Sequence, residues 1–388
     1  MKKKIIILGS TGSVGQNTID ILKKDKKNFE IILLSTQKNI NKIFAQAKEF
    51  NVKNIIISDK KKYNIAKSKL KNSNINIFNS FESIDKIIKK KNIHYSMISI
   101  SGLDGLKPTL KLIKYSKNLA VVNKESLICG WNLIKKKLDK YKTNFIPIDS
   151  EHFSIFSLLK NQKNDALERI YITASGGPFD NYPISKFHKI KPKDALKHPN
   201  WKMGKKITID SASLMNKVFE VIEAKNIFNI PYKKINILKH PKSYIHAIIK
   251  FKSGLIKILA HEPDMKIPII NSLYDDGNIN FKTKDLNLKI LNDLDLGKVD
   301  SKKFPLISLL KKMPNQNSLF ETILITINDF FVFKFLENKI DFKKMMKLIN
   351  NFSNLQEFQK YKKIKPKKVD EIYRLRDYVS LKLVSLGI

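Results

Sequence analysis

At 388 residues, 42% of them hydrophobic, the chain is long enough for two or three domains with their own cores. Its formal net charge of +39 resembles that of a nucleic-acid binder, yet of 74 basic residues only Arg169, Arg374 and Arg376 are arginines, and the lysines run with Ile and Asn through every segment. Base and phosphate recognition favour the guanidinium fork, so the charge reads as solvated surface and no nucleic-acid partner is expected. A single cysteine, Cys129, excludes an internal disulfide framework and fits a reducing cytoplasm. No apolar run approaches the roughly 18 residues of a membrane span, so no membrane association is expected.

The opening Met-Lys-Lys-Lys mimics the charged entry of a signal peptide, but the apolar run after it is short and ends in a glycine turn. Residues 5–8 instead predict a buried parallel strand. Gly9-Ser10-Thr11-Gly12-Ser13-Val14-Gly15 follows, then a helix from Thr18. Further strands are expected at 31–34, 54–57, 95–100 and 119–122, with helices at 41–50 and 106–114 among the segments between them. This alternation predicts a doubly wound α/β domain to about residue 148.

Beyond it the pattern changes. A strand at 169–174 ends in Ser175-Gly-Gly-Pro-Phe179, and residues 179–206 carry few helical signals, as a functional loop would. A strand is expected at 207–209, then a helix capped by Asp210 or Ser211 and running to Ala224. Strands at 245–251 and 256–259 mark an α+β domain. Residues 275–312, with Asp275-Asp-Gly as a turn, suit a linker, and 319–336, 342–350 and 369–386 predict helices.

Glycines where a strand becomes a helix let the backbone approach a pyrophosphate, and the helix N-terminus supplies aligned N–H groups. The spacing here is G-x-x-G-x-x-G, and a plain tight turn is the alternative. An NAD site wants an acid about 20 positions on for the ribose 2′-hydroxyl. That stretch is Ser35-Thr-Gln-Lys38-Asn39, with a cation and no carboxylate, which favours the 2′-phosphate of NADPH unless Lys38 is one more surface lysine.

Asp149 and Glu151 stand two apart and would share a face of an extended segment; Asn216, Lys217 and Glu220 would share a helix face. Three carboxylates suit a hard divalent cation, though a surface turn followed by an ordinary amphipathic helix would give the same pattern. His152 reads as a neighbour of such a site, since histidine suits zinc and no second His stands at ligand spacing. Ser175, Ser211, Asn216 and Lys217 are donors suited to a phosphate oxygen. Lys124, after the fifth strand, stands where a doubly wound sheet meets its ligands.

Together these residues resemble the 1-deoxy-D-xylulose 5-phosphate reductoisomerase family. The similarity is carried by the glycine turn, Asn123-Lys-Glu-Ser-Leu127, Pro147-Ile-Asp-Ser-Glu-His152, Ser175-Gly-Gly-Pro-Phe179, His198-Pro-Asn-Trp-Lys-Met-Gly204, Asp210-Ser-Ala, Met215-Asn-Lys217, Glu220, His240-Pro and Glu262-Pro-Asp-Met265. It implies NADPH-dependent isomerisation and reduction of the phosphorylated deoxyxylulose to 2-C-methyl-D-erythritol 4-phosphate, for isoprenoid precursors. It implies Asp149, Glu151 and Glu220 as ligands of Mg²⁺ or Mn²⁺ (or Co²⁺). Phosphate would be held by Ser175, Ser211, Asn216 and Lys217, and the substrate backbone by Lys124 and Ser150. His198, Trp201 and Met203 would sit on a closing lid. Gly9 to Gly15, Lys38, Asn39, Asn123, Glu125 and Gly204 would meet the cofactor.

The implied architecture is a Rossmann-like domain (1–148), a catalytic and dimerisation α+β domain (149–275) with a lid (179–206), a linker (276–312) and a C-terminal helical domain (313–388), in a cytoplasmic homodimer. The chain departs from the family pattern at Gln37, Ile100, Ser101, Val218 and His261. The family's Asn-Ala-Ala-Asn-Glu motif stands here as Ile325-Thr-Ile-Asn328-Asp329. A semialdehyde-type dehydrogenase shares the first turn but needs a cysteine nucleophile, for which Cys129 is the sole candidate.

Overall fold

The computed structural model describes residues 2–69, 74–90, 92–162, 164–201, 203–274 and 283–387. It divides into two compact units: Met1–Ser126, Leu133–Asp149 and Met265–Phe281 form the first, and Leu127–Asn132, Ser150–Asp264 and Lys282–Ile388 the second. Among the described residues no helix is long and apolar enough to cross a membrane.

The first unit holds a seven-stranded sheet of β1 (Lys3–Leu8), β2 (Phe29–Thr36), β3 (Asn54–Ile57), β4 (Asn76–Phe78), β5 (Ile93–Ile98), β6 (Ser116–Val121) and β7 (Asn144–Pro147), in the order β4-β3-β2-β1-β5-β6-β7. Every pairing is parallel. The central strands are apolar runs because both faces are covered: Ile5 to Leu8, Ile55 to Ile57 and Leu119 to Val121 are fully buried. Five of the strands match the sequence reading. The two it lacks are the edges: β4 has only three residues and β7 ends in Pro147, so neither carries a full apolar period. The first helix runs Ser13–Lys23 and so begins within the glycine motif, five residues before Thr18.

The second unit holds a mixed five-stranded sheet of β8 (Leu167–Ala174), β9 (Ile235–Lys239), β10 (Ile245–Phe251), β11 (Ile256–Ala260) and β12 (Gly297–Lys298), in the order β11-β10-β8-β9-β12. β8 and β9 are parallel and the other pairs antiparallel. One face carries a core of Ile170, Ile172, Ala247 and Ile249 against Ile155, Val221 and Ala224 from two helices. Helices Phe320–Leu336, Phe342–Ser353 and Val369–Ser385 form as expected.

Three expectations are corrected. Residues 207–209, Ile-Thr-Ile, carry a period-two β-branched signal but lie inside the Lys205–Ala212 helix, where tertiary packing of the fully buried Ile209 overrides local propensity. Asp210 and Ser211 are therefore helical residues, not caps. The next helix, Met215–Phe228, starts after Leu214, whose φ of 57° turns the chain sharply between the two. Second, the segment after Asp149 is not extended, because Ser150–Leu159 is helical from its first residue. Third, 179–206 is not without helical structure: short helical turns span Ile184–Lys189 and Pro192–Ala195, the Lys205–Ala212 helix begins before its end, and the buried Phe179 and Phe187 pack on Phe342 at 5.2 and 5.8 Å. The expected Asp275-Asp-Gly turn lies outside the described residues.

Candidate functional site

In the first unit the strand order reverses at β1, whose neighbours are β2 and β5, and the glycine turn springs from that point. A Cβ on Gly9 (φ +84°) would stand 2.6 Å from the Ser99 carbonyl oxygen, and one on Gly15 would collide with the Gly9 carbonyl oxygen. Both glycines are needed to close the turn. A Cβ on Gly12 would meet only the Gly9 oxygen at 3.4 Å, so that residue lies on the open side. Gly12 also caps the Ser13–Lys23 helix with no side chain over its first N–H groups. Ser13 is exposed, Val14 half-buried, and Thr11 Oγ1 lies 2.6 Å from Thr36 Oγ1. Ser10 instead turns inward, its hydroxyl donating to Gln46 Oε1 at 2.7 Å. A dinucleotide phosphate fits this bare turn through backbone donors.

Asn123 ties the ends of β5 and β6 together. Its amide donates to the carbonyls of Ile100 and Gly102, and its oxygen caps the Lys124–Tyr141 helix by accepting from Ser126 N. That positions Lys124, which is buried and reaches Asp149 Oδ2 at 2.9 Å. Glu125 follows, half-buried. Lys38 is exposed, and Asn39 caps the Ile40–Glu49 helix.

In the second unit the Ser150–Leu159 and Met215–Phe228 helices bring Glu151 and Glu220 together, with carboxylate oxygens within 4.8 Å of one another. Lys217 lies between them, 2.5 Å from Glu151 Oε1 and 2.6 Å from Glu220 Oε2, and donates also to Thr173 O at 2.8 Å. Burial works against its ammonium, but Glu151 and Glu220 outweigh burial and raise its pKa. Asn216 donates to Glu220 Oε1 at 2.5 Å and Ser150 to Glu151 Oε2 at 2.6 Å. His152 Nε2 meets the Glu220 carbonyl at 2.9 Å, while Nδ1 faces Glu223 Oε2 at 3.6 Å, so it braces the helix that carries Glu220. Asp149 immediately precedes the Ser150–Leu159 helix. The carboxylates offer oxygen ligands, which fits a hard divalent cation.

A third cluster adjoins them. Gly177 lets its turn approach the Lys205–Ala212 helix; a Cβ there would stand 3.2 Å from Ala212 Cα. Ser175 and Ser211 are thereby brought to one imidazole, with His198 Nε2 at 3.3 and 3.1 Å from their hydroxyls. His198 Nδ1 accepts from the backbone N–H of Asn200 and Trp201 at 3.2 and 3.0 Å. Burial, then the nearby Lys217, holds its pKa at about 4. The ring is thus neutral near pH 7 with its proton on Nε2, aimed at the serines. Two hydroxyls and an imidazole N–H, with Lys217 close by, make a site for an anion. Gly204 is exposed and caps the Lys205–Ala212 helix.

Trp201 is half-buried and stands edge-on to His246 at 6.1 Å. His246 stacks on His261 at 3.8 Å. Asn200 fixes the same turn through Pro241 O at 2.7 Å and Ser243 Oγ at 2.8 Å. Sequence reasoning missed this support, and also Thr173, which acts through a carbonyl and leaves no sequence signal. For His246 the available signal was a polar residue inside an otherwise apolar strand.

Three family models match the chain: 1-deoxy-D-xylulose 5-phosphate reductoisomerase over residues 5–130, its C-terminal domain over 145–228, and the DXP reductoisomerase C-terminal domain over 261–379. The 1-deoxy-D-xylulose 5-phosphate reductoisomerase of Pelagibacter ubique is 55% identical over 387 residues, covering 100% of both chains. A reductoisomerase from Zymomonas mobilis, solved with NADPH, superposes with a TM-score of 0.88 at 29% identity, covering 100% of this chain and 99% of that one. A DOX-P reductoisomerase solved with NADPH, fosmidomycin and magnesium gives a TM-score of 0.91 at 26% identity, covering 99% and 98%. With its glycine turn, its paired glutamates and these likenesses along its whole length, the chain belongs to the 1-deoxy-D-xylulose 5-phosphate reductoisomerase family.

Proposed function

We propose that this chain isomerises and reduces 1-deoxy-D-xylulose 5-phosphate to 2-C-methyl-D-erythritol 4-phosphate with NADPH and a divalent metal, Mg²⁺ or Mn²⁺ (or Co²⁺). The observation that carries the reading is the meeting of a carboxylate pair and a neutral anion cradle at Lys217, in a chain that also has a phosphate-admitting glycine turn. Asp149, Glu151 and Glu220 would hold the cation. Ser175, Ser211, Asn216, Lys217 and His198 would hold the substrate phosphate, and Lys124 and Ser150 the carbon chain. When bound, the cation supplies Lewis-acid stabilisation of developing oxyanion charge and the nicotinamide supplies hydride.

The chain's own residues bind and orient. His198, neutral, donates from Nε2 to the phosphate without adding charge. Lys217 offers its ammonium as the counter-charge. Trp201, seated on His246, would cover the substrate and exclude water. NADPH oxidation with the phosphorylated deoxyxylulose, run with and without added Mg²⁺, tests the assignment. Turnover only with both substrate and Mg²⁺ is expected; no turnover with substrate, NADPH and Mg²⁺ together would overturn it.

The first unit would take the dinucleotide, with Lys38 and Asn39 near its 2′-phosphate and Asn123 and Glu125 nearer the nicotinamide. Catalysis and dimerisation would fall to residues 149–275, of which 150–264 lie in the second unit, with the helices from 313 as a further domain. A homodimer is supported by the edge strand β11, whose Ile256 and Ile258, with Leu255 just before it, are about half exposed. Ile256→Lys should then yield monomers on size-exclusion chromatography, and an unchanged elution volume would sink the idea. A cytoplasmic home is supported by the buried, reduced Cys129.

A further inference from the structure

The Lys205–Ala212 helix carries Ser211, and its charge pattern runs against ordinary helix physics. Lys206 sits at its N-terminal end and Asp210 near its C-terminal end, bonded at 3.0 Å across i, i+4. That order opposes the helix dipole at both ends and is the poorer of the two orientations for such a pair. Helix stabilisation does not explain it. The explanation lies outside the helix, on Phe320–Leu336. Asn328 Nδ2 donates to Asp210 Oδ1 at 2.8 Å, and Lys206 Nζ lies 3.0 Å from Asp329 Oδ1. Lys206 also lies over the buried Phe219 ring at 5.2 Å. Asp210 and Asn328 are almost wholly buried.

Asp210 and Ser211 are consecutive, so they point roughly 100° apart around the helix. One faces the Phe320–Leu336 helix and the other faces His198. Fixing Asp210 from outside therefore fixes the rotation of the helix about its own axis, and with it the direction of the Ser211 hydroxyl. We infer that Lys206, Asp210, Asn328 and Asp329 form a clamp that sets this rotation, making them positioning residues for binding of the substrate's phosphate. The inference rests on the reading of Ser211 as a phosphate donor.

Steady-state kinetics of Lys206→Met, Asp329→Asn and Ser211→Ala, each with inorganic phosphate as competitor, test it. Lys206→Met should raise KM for the phosphorylated substrate about tenfold and weaken inhibition by phosphate in parallel, as a small misplacement of a binding group would. Its kcat and its KM for NADPH should stay within about twofold of wild type. Asp329→Asn removes only the more exposed partner, and about threefold in the same two quantities is expected. It decides the matter should Lys206→Met fail to fold. Asp329→Glu should restore wild-type behaviour. If Ser211→Ala leaves both quantities unchanged, the Ser211 reading itself fails. If Ser211→Ala raises them while Lys206→Met or Asp329→Asn lowers only the melting temperature, the clamp is a plain structural brace and the inference is overturned.

Discussion

In the first unit the cofactor turn offers backbone: Gly9, Gly12 and Gly15 contribute no side chain, and Ser10 turns inward to Gln46. In the second unit the candidate substrate site offers side chains: Lys217 Nζ lies within 2.6 Å of a carboxylate oxygen of both Glu151 and Glu220, with His198 and two serines beside them. The first arrangement tolerates no added atom at Gly9 or Gly15 but has little charge to lose. The second tolerates shape change better than charge change, because removing one member leaves a buried partner uncompensated.

The largest effect should come from charge. Asp149→Asn, Glu151→Gln and Glu220→Gln are each expected to lower kcat/KM at least about a hundredfold at saturating metal. Near-normal turnover in all three would erase the contrast between the two regions. Shape should dominate in the other region. Gly15→Ala forces a backbone shift costing about 1–3 kcal/mol, so KM for NADPH should rise roughly ten- to a hundredfold. Titration of Mg²⁺ against the same variant should give an unchanged midpoint.

Preference for NADPH over NADH comes next, at about tenfold, the worth of one charge-assisted contact from the Lys38 region. Equal kcat/KM with the two cofactors would remove Lys38 from the site. In a Trp131→Phe background, binding of a chelating phosphonate should change Trp201 emission, and Trp201→Ala should slow turnover while leaving the melting curve nearly intact. An unchanged spectrum at saturation would make Trp201 part of the core.

The smallest effect concerns pH. Burial, then His261, holds the His246 pKa at about 3, below the ordinary 6.5. The unfolded chain therefore takes up that proton first, and stability falls as pH drops from 6.5 toward 3. Denaturation midpoints between pH 7 and 4 should show a shallower decline for His246→Asn than for wild type; parallel curves would show that this histidine does not set the slope.

Legibility followed the same division. The glycine turn was readable because φ and closeness to neighbouring backbone leave glycine alone at Gly9 and Gly15. The glutamates stood out as acids, but the extended face that was to align Glu151 with Asp149 does not form, because the segment is helical from Ser150. What escaped was set by tertiary contact: Ile-Thr-Ile at 207–209 spells a strand until Ile209 is buried and Asp210 is bonded to Asn328. The fused seat of Trp201 on His246 and His261 joins residues far apart in sequence, and no local pattern announces it.

Leu214 has a consequence for anyone seeking a hardier enzyme. Its left-handed backbone costs a non-glycine residue about 1–2 kcal/mol, so glycine is the obvious replacement at that corner. Yet its side chain is only 2% exposed and packs with Ala174 and Phe304. Deleting a buried leucine side chain costs about 2–5 kcal/mol. The exchange loses on balance, and a flexible corner would sit between Ser211 and Lys217, two residues of the proposed anion cradle. Thermostabilising libraries should therefore leave position 214 alone and spend their diversity on the exposed lysines.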